Sequence, residues 1–414
     1  MRRPDPTTAS LLTPSCAELE NVCLSTLAAG QRAGYAGYSK FDALESPLVR
    51  ALSLGWWPLR LMWTQVVTRS PVNLRPLLRV RCGVNPEAPA LFARANLDCV
   101  ERGSSSPFAE RARDCLDWLL AHDATAPGRH HGRCWGYHHA WQSPGFYQPP
   151  NHPNCYMTAI VAAALVHGHR VLGRTEYLEA ARSAADFILQ DLPVLHEDAE
   201  AKCIGYVPDV RPAFRVINVN ALAAALLGQI GALRGETRLL EQARKLMTFV
   251  VRNRTPYGAW HYTLNPRQSL VTHDNYHTGM ILDALLAYEQ ATGDTRFAAD
   301  YRMGLDFYRR ALFLPNGAPK WTNTRVWPHD VHGSAQGILT FALAGELDTA
   351  GRIAAWALAH LYKGDGAFAY QRGRWISKRF TLLHWCNGWM ARGMAALLRA
   401  AGNRPPETQD AIRV

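Results

Sequence analysis

An all-α fold, an (α/α)6 toroid (six-hairpin barrel), is what the sequence predicts. Three observations predict it: a repeated helix-opening segment, Ala-rich helical stretches alternating with it, and a Gly/aromatic cluster in each long connection. The repeated segment reads Gly173-Arg174-Thr175-Glu176-Tyr177, Gly235-Glu236-Thr237-Arg238-Leu239 and Gly293-Asp294-Thr295-Arg296-Phe297, at intervals of about 60 residues. Glycine there ends one helix in the left-handed conformation, and threonine is expected to cap the next. After the first copy, Tyr177, Ala180, Ala184, Phe187 and Ile188 recur at helical spacing.

Outer helices are expected over Phe108–His122, Thr175–Leu189, Thr237–Arg252, Thr295–Ala311 and Thr349–Leu361. Between them, stretches apolar on several faces read as a buried inner ring. They cover Pro153–Leu172, Asn218–Leu233, Asn275–Thr292, Gly333–Leu347 and Leu383–Ala400. The sixth hairpin must come from the N-terminal part, where Glu18–Ala29, Pro47–Thr68 and Pro86–Glu101 all read as helical. Six hairpins closing on themselves make a toroid over residues 17–403, with a loosely packed N-terminus at 1–16 and a tail at 404–414. An open superhelix of the same units is the alternative.

The chain has 414 residues, long for one core, but repeats escape that limit because each unit buries its face on its neighbours. No uncharged apolar stretch reaches ~18 residues, so no transmembrane segment is expected. Met1 to Leu12 carries Arg2 and Arg3 without a sustained apolar run, unlike a signal peptide. Nine cysteines and no Cys-x-x-Cys pair fit a reducing compartment, so a cytoplasmic location is expected. The net charge of +11 comes from arginines scattered over many helices, with no Lys/Arg block of the kind that binds nucleic acid. It leaves room for an anionic ligand such as a uronate or a lipid-linked diphosphate.

The connections from outer to inner helices carry Trp135-Gly136-Tyr137, Gly205-Tyr206, Gly258-Ala259-Trp260-His261-Tyr262, Gly317 with Trp321, and Gly366-Ala367-Phe368-Ala369-Tyr370. Long connections in a compact domain usually serve a function, and these all fall at one end of the hairpins. Polar residues crowd the inner-helix starts at that end: Asn151-His152-Pro153-Asn154, Asn218, Asn220, His273 to His277, Asp330 to Gln336, and His384-Trp385. Capping accounts for the Asp and Asn there, but not for the neighbouring His, Gln and Trp. A ligand pocket is expected instead.

Three chemistries suit these residues. Cleavage or transfer of a glycosidic bond needs two carboxyl groups across a sugar, and Asp274 and Asp330 fall at equivalent positions of successive inner helices, with Asp209 or Asp42 as further acids. Proton abstraction beside a uronate carboxyl, as in C5-epimerases and lyases, suits Tyr276, His277 and His332, with Asn275, Arg374 and Arg379 neutralising the acid. Zinc on Cys386, His332 and His277 is the third, with Val331-His332-Gly333-Ser334 and Trp385-Cys386-Asn387-Gly388 faintly like the motifs of toroidal lanthionine cyclases, whose Cys-His dipeptide is absent. Trp135, Tyr137, Trp141, Trp260, Tyr262, Trp321, Trp327, Trp375 and Trp385 lie in loops or at helix starts, where indole and phenol rings stack on sugars. Terpene cyclases also use aromatic-lined helical toroids, but no DDxxD or DxDD run is present.

In order along the chain, Trp135-Gly136-Tyr137, Trp141-Gln142-Ser143, Asp274-Asn275-Tyr276-His277-Thr278-Gly279, and Asp330-Val331-His332 with Ala335-Gln336 resemble the VpsJ-like polysaccharide-biosynthesis proteins of bacterial exopolysaccharide operons, within the six-hairpin glycosidase superfamily. Tyr38-Ser39-Lys40-Phe41-Asp42-Ala43-Leu44, Ser46-Pro47 and Ser70-Pro71-Val72-Asn73-Leu74-Arg75-Pro76 look like that family too, so the similarity spans about Tyr35 to Leu398. It implies an (α/α)6 fold and a role in making or trimming a surface glycan. His138 and His139 depart from the pattern, standing where acidic or aromatic residues are expected, and Cys386 stands where Gly is usual.

The expected protein is thus a glycoside hydrolase-like enzyme, monomeric or dimeric, acting on an oligosaccharide, polysaccharide or glycolipid without metal or cofactor. Asp274 and Asp330 are its expected carboxyl pair, with His277, His332 and Tyr276 beside them. Trp135, Tyr137, Trp141, Gln142, Asn218, Asn220, Trp260, Tyr262, Asn275, Gln336, Arg374, Arg379 and Trp385 are the expected sugar contacts. The alternatives are a uronate epimerase or lyase and a non-catalytic glycan-binding scaffold.

Overall fold

A computed structural model of the protein describes residues 13–103, 107–126, 128–143, 146–209, 214–268 and 271–402. Most of the expected loose N-terminus, positions 1–12, and the expected tail 404–414 lie outside these residues. Helix α1 (Cys16–Arg32) starts at the Ser15 cap, inside the stretch expected to be loose. Two short helices follow, α2 (Pro47–Leu52) and α3 (Trp57–Arg69), and then α4 (Glu87–Glu101) and α5 (Pro107–Ala121). The remaining helices are α6 (Cys155–Leu172), α7 (Thr175–Asp186), α8 (Ile217–Arg234), α9 (Thr237–Arg252), α10 (Asn275–Thr292), α11 (Ala298–Leu312), α12 (Val331–Leu343), α13 (Leu347–Leu361) and α14 (Trp389–Gly402).

Helices α4, α6, α8, α10, α12 and α14 pack each on the next, and α14 packs back on α4. The ring is closed, which excludes the open superhelix. The six hairpins run outer to inner: α1 to α4, α5 to α6, α7 to α8, α9 to α10, α11 to α12 and α13 to α14. Inner helices are flanked on both sides and behind, so their apolar residues face several ways, and small residues let backbones approach. A β-carbon on Gly393 of α14 would meet the Ala335 carbonyl oxygen of α12 at 2.8 Å. Outer helices bury one stripe, as α9 does with Leu239, Ala243, Leu246, Met247 and Val250. Two inner helices, α6 and α8, are long and apolar enough to cross a membrane by composition, but both are largely buried in the ring. Among the described residues no other helix is.

Four local expectations are corrected. Gly173, Gly235 and Gly293 do end their helices with φ of 72°, 67° and 72°. However, Thr175 and Thr237 are first helical residues and not caps: Arg174 and Glu236 hold the cap positions without side-chain bonds, and Asp294 caps the third copy. The segment Pro47–Thr68 is not one helix, because Leu54 and Gly55 turn left-handed (φ 48° and 69°) and split it into α2 and α3. Helix α12 stops at Leu343, short of the expected Leu347, which starts α13. The last inner segment opens with a wide π turn, Leu383–Gly388, before α14.

The stretch between α1 and α4 is an insertion that leaves and returns through an antiparallel pair, Ala36–Gly37 with Gly83–Val84. Its anchor is Arg75, 1% exposed, whose Nε donates to Asp42 Oδ1 at 2.6 Å and whose Nη2 donates to the carbonyls of Ser39 (2.7 Å) and Lys40 (3.0 Å). Asp42 in turn accepts from the Ser39 amide at 2.8 Å. The two N-terminal stretches singled out in the sequence therefore lock together, and what they hold in place is the loop carrying Lys40.

Candidate active site

The long connections and the insertion surround one cavity of about 630 Å³ at the N-terminal end of the inner ring. Each inner helix sends in the residue two places after the group that opens it. After Asn85 comes Glu87; after Asn154, Tyr156; after Val216, Asn218; after Asp274, Tyr276; after Asp330, His332; and after Leu382, His384. All six line the cavity. The arrangement follows from helix geometry, since side chains one residue into the first turn of parallel helices project around the common axis. The six N-termini also turn partial positive charge toward the cavity.

Histidine 277 lies on the same wall. Asp274 accepts the His277 backbone N–H at 2.8 Å through Oδ1, as a cap, and holds the ring Nδ1 at 2.7 Å through Oδ2. With Nδ1 engaged, Nε2 is the nitrogen left for the cavity. Next to it, Tyr276 stacks on His332 at 5.0 Å between centroids, and Trp389 covers the other face of His332 at 4.5 Å. Neither nitrogen of the fully buried His332 ring has a hydrogen-bond partner, and burial lowers its pKa well below the usual imidazole value. It is a neutral imidazole. Burial raises the Tyr276 pKa well above the phenol value, so that hydroxyl stays protonated.

The opposite wall holds Glu87, 2% exposed. Its Oε1 accepts from Tyr156 Oη (2.8 Å) and Trp389 Nε1 (2.9 Å), and His384 Nε2 lies 3.7 Å from Oε2. Burial pushes its pKa up to about 7. Between the walls, the ammonium of Lys40 lies 3.8 Å from the Trp385 ring centre and also over Tyr276, Phe41 and Trp321, at 5.3, 5.4 and 5.9 Å. Lys40 is 5% exposed, and burial lowers its pKa. Arg69, Arg325 and Lys378 also line the cavity, against Glu87 as the one lining carboxyl among the described residues.

Of the residues expected from sequence, Tyr276, His277, His332, Tyr137, Trp141, Gln142, Asn218, Tyr262 and Trp385 line this cavity. Others do not, each for a physical reason. Asp274 and Asp330 stand behind the wall as caps. Besides capping at the His332 amide, Asp330 accepts from Trp385 Nε1 (2.9 Å) and Gln371 Nε2 (2.7 Å), so both carboxylates aim cavity side chains and do not face the cavity. Trp135 and Trp260 are core side chains whose indoles donate to the carbonyls of Leu119 and Val250. Asn220 ties Ile204 and Val216 backbone together, Asn275 donates to the Leu312 carbonyl, and Gln336 bonds Asp283 and Thr340 inside the ring. Arg374 and Arg379 are exposed outside the cavity. Asp42 is taken by Arg75, and Asp209 pairs with His152 at the surface.

His277, His332 and Cys386 do not gather within ligand distance of one another. The Cys386 sulfur instead accepts from the Leu382 amide. The acid-and-histidine cluster that does gather, Asp98, Glu101 and His167, is met by Arg392 and Arg399. Of the two departures from the family pattern, His139 lines the cavity, its pKa lowered to about 4 by burial, while the His138 ring packs against Gly83.

Sequence reading missed Lys40, Glu87, Tyr156 and Gln371. Tyr156 was detectable, since it stands to the Asn154 cap as Tyr276 stands to Asp274. Lys40 carried no local signal, because only the insertion's folding over the ring brings it to the axis.

No protein-family model matches the chain, and no curated protein matches it. Solved structures do share its fold. A sugar epimerase from a ruminal bacterium superposes with a TM-score of 0.60 at 12% identity, over 77% of this chain and 90% of its own. The GH76 alpha-mannanase of Bacteroides thetaiotaomicron gives 0.55 at 13% identity, over 76% and 86%. A polysaccharide lyase gives 0.58 at 10% identity, over 94% and 98%. At such identities the likeness is one of fold alone, the closed (α/α)6 toroid.

Proposed function

We propose that the protein is a carbohydrate-processing enzyme whose site moves a proton at a sugar carbon beside a carboxylate, as a uronate epimerase or lyase does. The observation that carries this reading is the His277–Asp274 pair, with its free imidazole nitrogen at a cavity lined, among the described residues, by a single carboxyl group. Glycosidic cleavage by two facing carboxylates has less support, because Asp274 and Asp330 are spent on capping and aiming.

In this reading Lys40 and the surrounding helix N-termini take the substrate carboxylate, stabilising the charge that grows on it as the neighbouring C–H ionises. His277 Nε2 removes the proton, with Asp274 steadying the imidazolium that forms. Tyr276, beside His277 on the same helix and protonated, supplies a proton to the carbon, giving an epimer, while loss of the substituent one carbon further, protonated as it leaves, gives elimination instead. Tyr137, Trp141 and Tyr262 provide stacking faces for the ring. A bacterial surface exopolysaccharide as the ultimate product rests on the sequence resemblance, and a cytoplasmic location on nine unpaired thiols.

The test is uronate-containing oligosaccharide incubated in deuterium oxide. Deuterium at C5, with or without an unsaturated product, is expected. Asp274→Asn should cut turnover roughly a hundredfold, with little change in melting temperature because asparagine still caps the helix. Glycosidic hydrolysis without exchange at C5 would overturn the reading.

A further inference from the structure

The insertion between α1 and α4 has an outer face that ordinary solvation does not explain. Half of the exposed large apolar side chains among the described residues fall between Leu48 and Leu77. Leu54 is 83% exposed, Leu77 76%, Trp56 59% and Trp57 52%. Along α3, Trp57, Met62 and Val66 form an outward apolar stripe, while Leu61, Gln65 and Thr68 look into the cavity. A helix that merely covered a pocket would be polar on the outside.

The charge on this face is equally one-sided. Six arginines and no acidic residue lie between Ser46 and Pro86. Arg75 is consumed by Asp42, but Arg50, Arg60, Arg69, Arg79 and Arg81 have no acidic partner among the described residues. Elsewhere on the surface acidic side chains are interspersed with the arginines and pair with many of them, as in Arg182–Glu236, Arg254–Asp300 and Arg309–Glu346. A second segment extends the face: Trp375 is 85% exposed and Ile376 67%, flanked by exposed Arg374 and Arg379. Lys378 Nζ ties this segment to α3 through the Thr68 carbonyl at 2.7 Å, and Ile376 and Arg69 sit together on the cavity lining. These two stretches carry nearly all of the chain's excess of +11. The arginines are thus scattered over the chain, but only on this face do they stand over so long a stretch without acidic residues among them.

We propose that this face docks on a membrane surface rich in anionic lipid. Tryptophan and leucine enter the headgroup region while the unpaired arginines meet lipid phosphates. A second copy of the chain is a poorer occupant, because a two-fold interface would set arginine against arginine. Leucine, valine and methionine have no stacking role toward nucleic-acid bases. Docking brings the cavity mouth to the bilayer, where a lipid-anchored glycan presents its sugar; that last step rests on the sugar reading above, and the docking itself does not.

The test needs no sugar. The full chain is sedimented with vesicles of phosphatidylcholine alone and with vesicles containing about one-third phosphatidylglycerol. Binding to the anionic vesicles at least about tenfold tighter, and weakened by high salt, is expected. Trp56→Ser with Trp57→Ser, and separately Arg79→Glu with Arg81→Glu, should each lower that binding about tenfold without moving the thermal melt, since these side chains are exposed. No preference for anionic vesicles, or a preference that survives both pairs, overturns the proposal. So does a dimer in light scattering that the tryptophan pair dissociates, because the face would then be covered by a second copy.

Discussion

Glu87 is a carboxyl that the fold prefers to keep protonated. Two donors, Tyr156 and Trp389, favour its charged form, but burial outweighs them and holds the pKa near 7, above the ordinary value of 4.5. A folded-state pKa raised in this way contributes stability that is full below about pH 4.5 and lost as pH rises through about 7. Glu87→Gln keeps an acceptor for both donors and removes the titration. Between pH 5 and pH 8 the wild type should therefore lose roughly 2–3 kcal/mol relative to E87Q, measured by denaturant unfolding at the two pH values. A difference independent of pH would show that Glu87 stays ionised in the folded protein. The same residue marks a limit of sequence reading. Nothing around Glu87 in the chain distinguishes it from a first-turn glutamate at a surface helix, and its character comes from Tyr156, Trp389 and His384, which are remote in sequence.

At the scale of elements, the inner helix decides which residues meet. The periodicity places the helices, and the cap determines which side chain follows it into the first turn. Reading the caps alone points to Asp274 and Asp330, the most polar residues there, but a cap's carboxylate turns back to its own helix amides. The residue two places on faces the axis. The inner ring also depends on close backbone approach. Gly393→Ala would drive a methyl group against the Ala335 carbonyl, an atom that cannot rotate away. A loss of about 1–3 kcal/mol is expected, read as a lower melting temperature. If G393A melts as the wild type does, α12 and α14 are not held as closely as described. The insertion behaves differently, since its position over the ring is set by Arg75 and Asp42 and not by helical periodicity.

Across the whole molecule, closure joins the first and last hairpins. Asp98 of α4 meets Arg392 and Arg399 of α14, and both Asp98 and Arg392 are buried. Removing Arg392 leaves buried Asp98 with only the partly exposed Arg399, so Arg392→Met should cost roughly 3 kcal/mol, the low end for breaking a buried pair. Because the pair spans the seam of the ring, the loss should appear in a single cooperative transition by circular dichroism. Separate melting of the terminal hairpins would mean that the seam closes independently of the remaining ring. Ring closure also explains how one small cavity gathers groups from Lys40 to Trp385, nearly the full length of the described chain.

By itself, the sequence determined the hairpin count, the alternation of outer and inner helices, and the end of the ring at which polar and aromatic residues gather, since each depends on spacing within a few turns. Tertiary structure alone decided that the ring closes, that Lys40 and Glu87 face His277 and His332, and that the insertion's arginines share one surface with exposed tryptophans. Those outcomes depend on which distant segments become neighbours. Local propensity and periodicity constrain a residue's own helix, whereas burial, charge pairing and pKa are properties of whatever the rest of the chain brings against it.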